Sequence, residues 1–188
     1  MWRRGEAGAC LRLGVACSLV SLAHARSDSA QTGTQSTEGA VLESSSLRTT
    51  LQEERELRAF RRAAAGALRR LSTPKCQRVF SHFRDRSGRT LKEGLDALGQ
   101  TPASFMGWIL FADGRGERPC ADANVLAVTM PGSRAIWICG WQFAHENEWG
   151  DPGLTEAVLI HEELHALGLG ENPPSSTSIT TSVRASCG

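Results

Sequence analysis

Two histidines and a glutamate stand close together in the segment His161-Glu162-Glu163-Leu164-His165. In a helix, residues four positions apart lie on the same face, so the imidazoles of His161 and His165 can bind one metal ion. Neutral imidazole is a common ligand of Zn²⁺, and a carboxylate that does not bind the metal can act as a general base. The spacing therefore predicts two zinc ligands and a general base, Glu162, which deprotonates a zinc-bound water.

The residues after His165 offer a third ligand. Gly168 stands where a helix that ends abruptly favours glycine, and the resulting turn directs Glu171 back toward the metal. A catalytic zinc has three protein ligands and one open position, and no other His, Asp or Glu follows His165. We therefore predict Glu171 as the third ligand, with His145 as its main rival. We expect Glu163 to be a solvated carboxylate.

The pattern from His161 to Glu171, HExxHxxGxxE, resembles the zincin metallopeptidases, and most closely the extended motif of the metzincins. The resemblance implies that His161, His165 and Glu171 bind zinc and that Glu162 is the general base of a peptide-bond hydrolase. The chain departs from metzincins in two respects. Their third ligand is usually histidine, and they have a methionine turn after the motif, whereas the last methionine here, Met130, precedes it.

A second interpretation is a disulfide-bonded extracellular binding domain with a structural or vestigial zinc site. Its signature would be a fourth ligand, such as His145, that closes the open position. In the enzymatic interpretation His145 instead stabilises the oxyanion, because the chain contains no tyrosine. Arg134, Arg184 or the zinc ion alone are the alternatives for that role.

The first 25 residues predict a secretory signal peptide. A charged start, Met1-Trp2-Arg3-Arg4, precedes an apolar stretch over residues 11–22 and the cleavage signal Ala23-His24-Ala25. The apolar stretch is shorter than a typical membrane-spanning helix, and we predict no membrane-spanning segment elsewhere in the chain. The mature protein is therefore expected to be secreted or periplasmic.

Four cysteines remain after the predicted cleavage site, and an oxidising compartment favours two disulfides. Three pairings are possible, and we favour Cys120–Cys139 and Cys76–Cys187. The first closes a short segment and the second joins the two ends of the domain. The alternative is that Cys187 binds the metal.

The rest of the chain divides by composition and charge. Residues 26–50 are rich in Ser, Thr, Gly and Gln and predict a disordered linker, and residues 51–71 predict a basic amphipathic helix. Residues 26–92 hold 14 basic and 7 acidic side chains, whereas residues 93–188 hold 4 and 12. One hypothesis is that helix 51–71 docks on the acidic half as a covering pro-segment, and the other is a solvated, tethered helix. The nearly balanced total argues against nucleic-acid binding.

Residues 72–188 are the predicted catalytic domain, of the α+β class. The motif helix is expected to begin at Asp151-Pro152 and to end at Gly168. Residues 125–130 and 134–139 predict a hairpin, and a helix from Thr101-Pro102 is expected to run through Phe111. We predict a small zincin-like domain whose short antiparallel sheet packs on the active-site helix. The resemblance implies that one strand holds a peptide or protein substrate. The acidic charge of this half suggests basic peptides.

Overall fold

The computed structural model describes residues 43–188, so the predicted signal peptide and residues 26–42 of the predicted linker lie outside the described residues. The described residues form an α+β domain with a four-stranded sheet. The helices are α1 (Glu54–Leu71), α2 (Pro74–Gln77), α3 (Val79–His82), α4 (Leu91–Ala97), α5 (Pro102–Met106), α6 (Gly140–Trp149), α7 (Pro152–Ala166) and α8 (Ser176–Cys187). The strands are β1 (Arg48–Thr49), β2 (Leu110–Asp113), β3 (Ala127–Val128) and β4 (Ala135–Ile138).

The sheet is mixed, which corrects the prediction of an antiparallel sheet. Its strand order is β1-β2-β4-β3, in which β1, β2 and β4 run parallel and only β3 is antiparallel to its neighbour. The predicted hairpin is present as β3 and β4. The helix expected to continue through Phe111 ends at Met106, and Phe111 lies in β2. A short apolar run fits a buried strand as well as a helix, so hydrophobicity alone did not separate the two.

The end of the predicted linker is ordered. Leu47 is buried, and the next two residues form β1, which pairs with β2 from Arg48 to Leu110 and from Thr49 to Phe111. The polar composition of residues 26–50 predicted disorder, but threonine suits a strand and Leu47 joins the core. The described domain therefore begins before residue 51.

Helix α1 supplies a large part of the hydrophobic core. Phe60, Ala63, Ala64 and Ala67 are fully buried, and the Phe60 ring lies 4.8 Å from that of Phe111 in β2. Small alanine side chains let the helix approach α6 and α7, its two main partners, closely. This packing places the basic helix on the acidic half, but as part of the core. We therefore describe α1 as an element of the domain. Its role as a pro-segment stays a hypothesis.

Two disulfides join distant parts of the domain, with the pairings predicted from the sequence. Cys76–Cys187 connects α2 to the end of α8, and Cys120–Cys139 connects the segment before β3 to the start of α6. Cross-links of this kind are typical of proteins outside the cytosol. Among residues 43–188, no helix is both long and apolar enough to cross a lipid bilayer.

Candidate metal centre

The ends of α7 are determined by its own sequence. The Asp151 side chain accepts a hydrogen bond from the Gly153 amide at 2.8 Å, and Pro152 occupies the first helical position. At the other end, the amide of Gly168 donates to the His165 carbonyl and that of Leu169 donates to the Leu164 carbonyl. This pair of bonds is a Schellman motif, and Gly168 adopts the positive φ of 108° that glycine tolerates best. Both predicted boundaries are confirmed.

The second half of α7 is buried on all sides, and one face carries the two histidines. His161 and His165 are each 4% exposed, and their Nε2 atoms lie 2.9 Å apart. Glu171 Oε1 lies 3.3 Å from His165 Nε2 and 3.7 Å from His161 Nε2. The Glu171 side chain is 39% exposed, so the group opens toward solvent on that side.

These three side chains form a group that can hold a metal ion, since their ligand atoms all lie within 4.8 Å of one another. Two imidazoles and one carboxylate are a donor set that suits zinc, and three protein ligands leave one position for substrate or water. The chemistry of the donors therefore fits the metal that the motif predicts. The convergence of Glu171 with both histidines agrees with its choice as third ligand.

The outer nitrogens of both histidines are also engaged. His165 Nδ1 lies 2.8 Å from the carbonyl oxygen of Leu169, and His161 Nδ1 lies 2.9 Å from Thr180 Oγ1 on α8. A proton on Nδ1 that donates to these oxygens leaves the Nε2 lone pair free for a metal. Burial, assisted by the neighbouring His165, lowers the pKa of His161 to about 3, which favours the neutral form that binds metal.

Glu162 lies in the cleft beside the three candidate ligands. Burial and the nearby Glu171 carboxylate raise its pKa to about 8, although the backbone amide of Thr129 acts in the opposite direction. A general base works best when its pKa is close to the operating pH. The environment of Glu162 therefore suits a group that takes up and releases a proton.

The cleft has a volume of about 360 Å³ and runs along β3, the edge strand of the sheet. The hairpin is attached to the end of α7, because the Gly132 amide donates to the His165 carbonyl at 2.8 Å. The lining comprises Arg86, Pro119, Val125, Ala127, Val128, Thr129, Pro131, His161, Glu162, His165, Glu171 and Ser176.

No family model, curated protein or solved structure matches this chain. The resemblance to zincins therefore rests on the motif and on the positions of its side chains. It stays a prediction.

The structure places His145 away from the cleft. It is exposed on α6, where its ring stacks on Trp141 with a centroid distance of 5.4 Å, and it is not among the residues that line the cleft. This position contradicts its proposed roles as a fourth ligand and as the oxyanion stabiliser. The two arginine alternatives are also engaged elsewhere, because Arg134 lies over the Trp108 ring and Arg184 pairs with Asp151 at 2.9 Å. The zinc ion alone stays a prediction for that role.

The expectation that Glu163 is a solvated carboxylate is wrong. Its side chain is 0% exposed, and neither carboxyl oxygen has a hydrogen-bond partner within residues 43–188. Burial raises its pKa well above the usual range. The sequence placed Glu163 off the histidine face correctly, but α7 is covered on that side too.

The cleft also contains residues that the sequence did not indicate. Arg86 and Thr129 line it, and Thr180 contacts His161 from behind. Arg86 and Thr129 lie 75 and 32 residues before His161, and Thr180 lies nine residues after Glu171 in a separate helix. No local spacing relates these segments, so only the fold brings them to the site.

Proposed function

We propose that this chain is a zinc-dependent metallopeptidase that hydrolyses peptide bonds. The observation that carries the proposal is the convergence of three metal-binding side chains, His161, His165 and Glu171, with Glu162 in one cleft. A metal-ligand group alone would serve a structural site equally well. The adjacent carboxylate of Glu162, which lines the cleft but is not one of the three candidate ligands, is what a hydrolase needs in addition.

The residues have separate roles in the proposed reaction. When bound, zinc supplies a Lewis acid that polarises the substrate carbonyl and makes water more acidic. Glu162 removes a proton from the attacking water and later delivers it to the departing amine. Leu169 and Thr180 hold the outer nitrogens of the two histidines, which fixes the orientation of both rings.

The edge strand β3 offers a place for an extended peptide. Among the described strands it pairs only with β4, so its other edge has no strand partner, and both of its residues line the cleft. An extended chain can hydrogen-bond to such an edge whatever its side chains are. We propose that the substrate binds there, and that the protein acts outside the cytoplasm, in keeping with the predicted signal peptide and the two disulfides.

The alternative, a binding domain with a structural zinc, requires a fourth protein ligand. Within residues 43–188 the metal-binding group comprises three side chains, and His145 lies outside the cleft. A three-ligand group that borders a solvent-accessible cleft supports catalysis over a closed structural site.

The proposal is tested by measuring zinc content and peptide hydrolysis in the purified chain and in three variants. We expect one zinc per chain in the parent and in Glu162→Gln, and its loss in Glu171→Ala. Glu162→Gln should lower hydrolysis of a peptide library at least about 100-fold, because the general base is removed. His145→Ala is the matched control and should change neither quantity.

Two results would contradict the proposal. One is a Glu162→Gln variant as active as the parent, which would exclude Glu162 as the base. The other is a parent chain that takes up no zinc on reconstitution.

A further inference from the structure

Three arginines lie in the short segment between α3 and α4, and they differ in what they contact. Arg84 donates to the Gly88 carbonyl at 2.8 Å, and Arg89 pairs with the Asp85 carboxylate at 3.0 Å. Arg86 makes no ion pair and no side-chain hydrogen bond to any of residues 43–188, and its side chain lines the cleft. Arg84 and Arg89 therefore hold the turn together, whereas Arg86 keeps its full hydrogen-bonding capacity.

The turn that carries Arg86 is built by its own side chains. Asp85 Oδ1 accepts hydrogen bonds from the Ser87 amide at 2.8 Å, the Ser87 hydroxyl at 2.6 Å and the Arg89 amide at 3.1 Å. The Asp85 amide donates to the Arg89 carbonyl at 2.8 Å and closes the loop. A loop with this many internal bonds presents Arg86 from a defined backbone position.

The same turn is attached to the segment that carries the third candidate ligand. Asp85 forms an isolated β-bridge with Leu169, two residues before Glu171. A Cβ at Gly170 would lie only 3.7 Å from Arg86 Nε, so the arginine side chain runs past the residue next to Glu171. The guanidinium group therefore lies against the backbone next to Glu171, at the border of the cleft.

Arg86 is also the only lysine or arginine among the residues that line the cleft. The two carboxylates there, Glu162 and Glu171, have assigned roles as base and ligand. A guanidinium stays charged at all relevant pH values, and its planar fork matches a carboxylate with two parallel hydrogen bonds.

We propose that Arg86 is a specificity residue that binds a carboxylate of the substrate, supplied either by an acidic side chain or by a free C-terminus. The inference rests on the proposed function, since it takes the cleft as the peptide site. It predicts a preference for acidic peptides, whereas the net charge of residues 93–188 suggested basic ones. The contact with Arg86 has priority, because a charge in direct contact acts at short range and distant surface charges are screened by salt.

The test measures binding of three N-acetylated alanine hexapeptides to the Glu162→Gln chain, which does not consume them. The first peptide has a central glutamate and an amidated C-terminus. The second has glutamine at that position and an amidated C-terminus. The third has glutamine and a free C-terminal carboxylate, so the set separates the two sources of the carboxylate from each other.

We expect the glutamate peptide or the free-acid peptide to bind about 10-fold more tightly than the neutral peptide, and Arg86→Gln to remove that difference. Arg86→Lys keeps the charge but loses the planar fork, so it should retain part of the preference. Arg58→Gln is the matched control, because Arg58 is an exposed arginine of α1 that pairs only with Glu54 among the described residues. It should leave all three affinities unchanged.

The inference is overturned if the parent shows no preference for a carboxylate, or if Arg86→Gln weakens all three peptides equally. It is also overturned if the carboxylate preference persists in Arg86→Gln. The two proposals fail separately. Peptide hydrolysis without a role for Arg86 overturns only this inference, whereas an Arg86-dependent carboxylate preference in a chain that hydrolyses nothing overturns only the proposed function.

Discussion

The two sides of helix α7 differ in whether their polar groups have partners within the described residues. On the side that faces α1 and α6, the Asn147 amide donates to Thr155 Oγ1 at 2.9 Å, and Arg62 Nε donates to Asn147 Oδ1 at 3.1 Å. Arg70 pairs with Glu156 at the same interface. On the cleft side, three candidate ligand atoms lie within 4.8 Å of one another, and Arg86 has no side-chain partner within the described residues.

The difference separates structural polar groups from functional ones. Burying polar groups is tolerated when they are hydrogen-bonded, and the α1–α6–α7 interface meets that condition with residues of the chain itself. The side chains of the cleft have hydrogen-bonding and metal-binding groups that no described residue occupies. A site for an external ligand requires such free groups. Glu163 is the exception, because it is buried and has no hydrogen-bond partner within residues 43–188, yet it does not line the cleft.

The largest effect is expected from the disulfide that joins the end of α8 to α2. Replacing Cys76 and Cys187 by serine opens a loop of 111 residues and should lower the free energy of unfolding by about 4 to 5 kcal/mol. Because α8 carries Thr180, zinc affinity should fall too. The matched control is Cys120→Ser with Cys139→Ser, where the separation is 19 residues and the expected loss is about 3 kcal/mol. Denaturant unfolding measures both, and equal losses would contradict the loop-length argument.

Thr180→Val should weaken zinc binding about 10-fold or more with little change in thermal stability, because it removes the acceptor for His161 Nδ1 while keeping the side-chain shape. Competition with a zinc chelator measures the affinity. Thr180→Ser should restore it. Thr181→Val, at an exposed neighbouring position, is the control and should have no effect. Equal affinity in Thr180→Val and the parent would show that the hydroxyl does not position His161.

Gly168→Ala should destabilise the fold by about 1 to 2 kcal/mol, since φ is 108° there and a Cβ strains that conformation. The backbone between α7 and Glu171 should shift, so zinc affinity should fall as well. Gly94→Ala is the control: Gly94 lies within α4 at a position where nothing approaches a Cβ within 4 Å, and the change should be neutral or stabilising. Chemical denaturation of the two variants measures both effects. A Gly168→Ala midpoint equal to that of the parent would contradict the strain argument.

Glu163→Met tests the role of the buried carboxyl that lies outside the cleft. The substitution removes a buried carboxyl that has no partner in the described part of the chain and keeps a similar volume, so it should raise the free energy of unfolding by about 1 kcal/mol. Zinc content should stay the same, because Glu163 does not line the cleft. A loss of zinc in this variant would show that Glu163 supports the metal site after all.

The smallest effect concerns the turn that carries Arg86. The Ser87 hydroxyl, together with the Arg89 guanidinium and backbone amides, lowers the pKa of Asp85 to about 2. A carboxyl with a lowered pKa stabilises the fold above its unfolded pKa of about 4, and that contribution is lost as the pH falls toward 2. Thermal melts should therefore give Asp85→Asn a lower melting temperature than the parent at pH 7, and this difference should vanish near pH 2. A difference that is constant with pH would exclude this linkage.

Much of the candidate site could be predicted from the sequence because its information is local. The positions of His161, Glu162 and His165 follow from the helical repeat, and the stop at Gly168 with the return of Glu171 follows from one turn. The disulfide pairing was also predicted correctly. We chose one cysteine pair because it closes a short segment and the other because it joins the two ends of the domain.

The remaining features depend on contacts between segments that are distant in the chain. The sequence by itself determined the motif helix, its two ends and the face on which the ligands lie, since these follow from hydrogen bonds over a few residues. Only the tertiary structure decided that His145 faces solvent, that Glu163 is buried, and that Arg86 and Thr180 reach the site. Burial and proximity depend on which elements pack together, and that outcome is a property of the whole core.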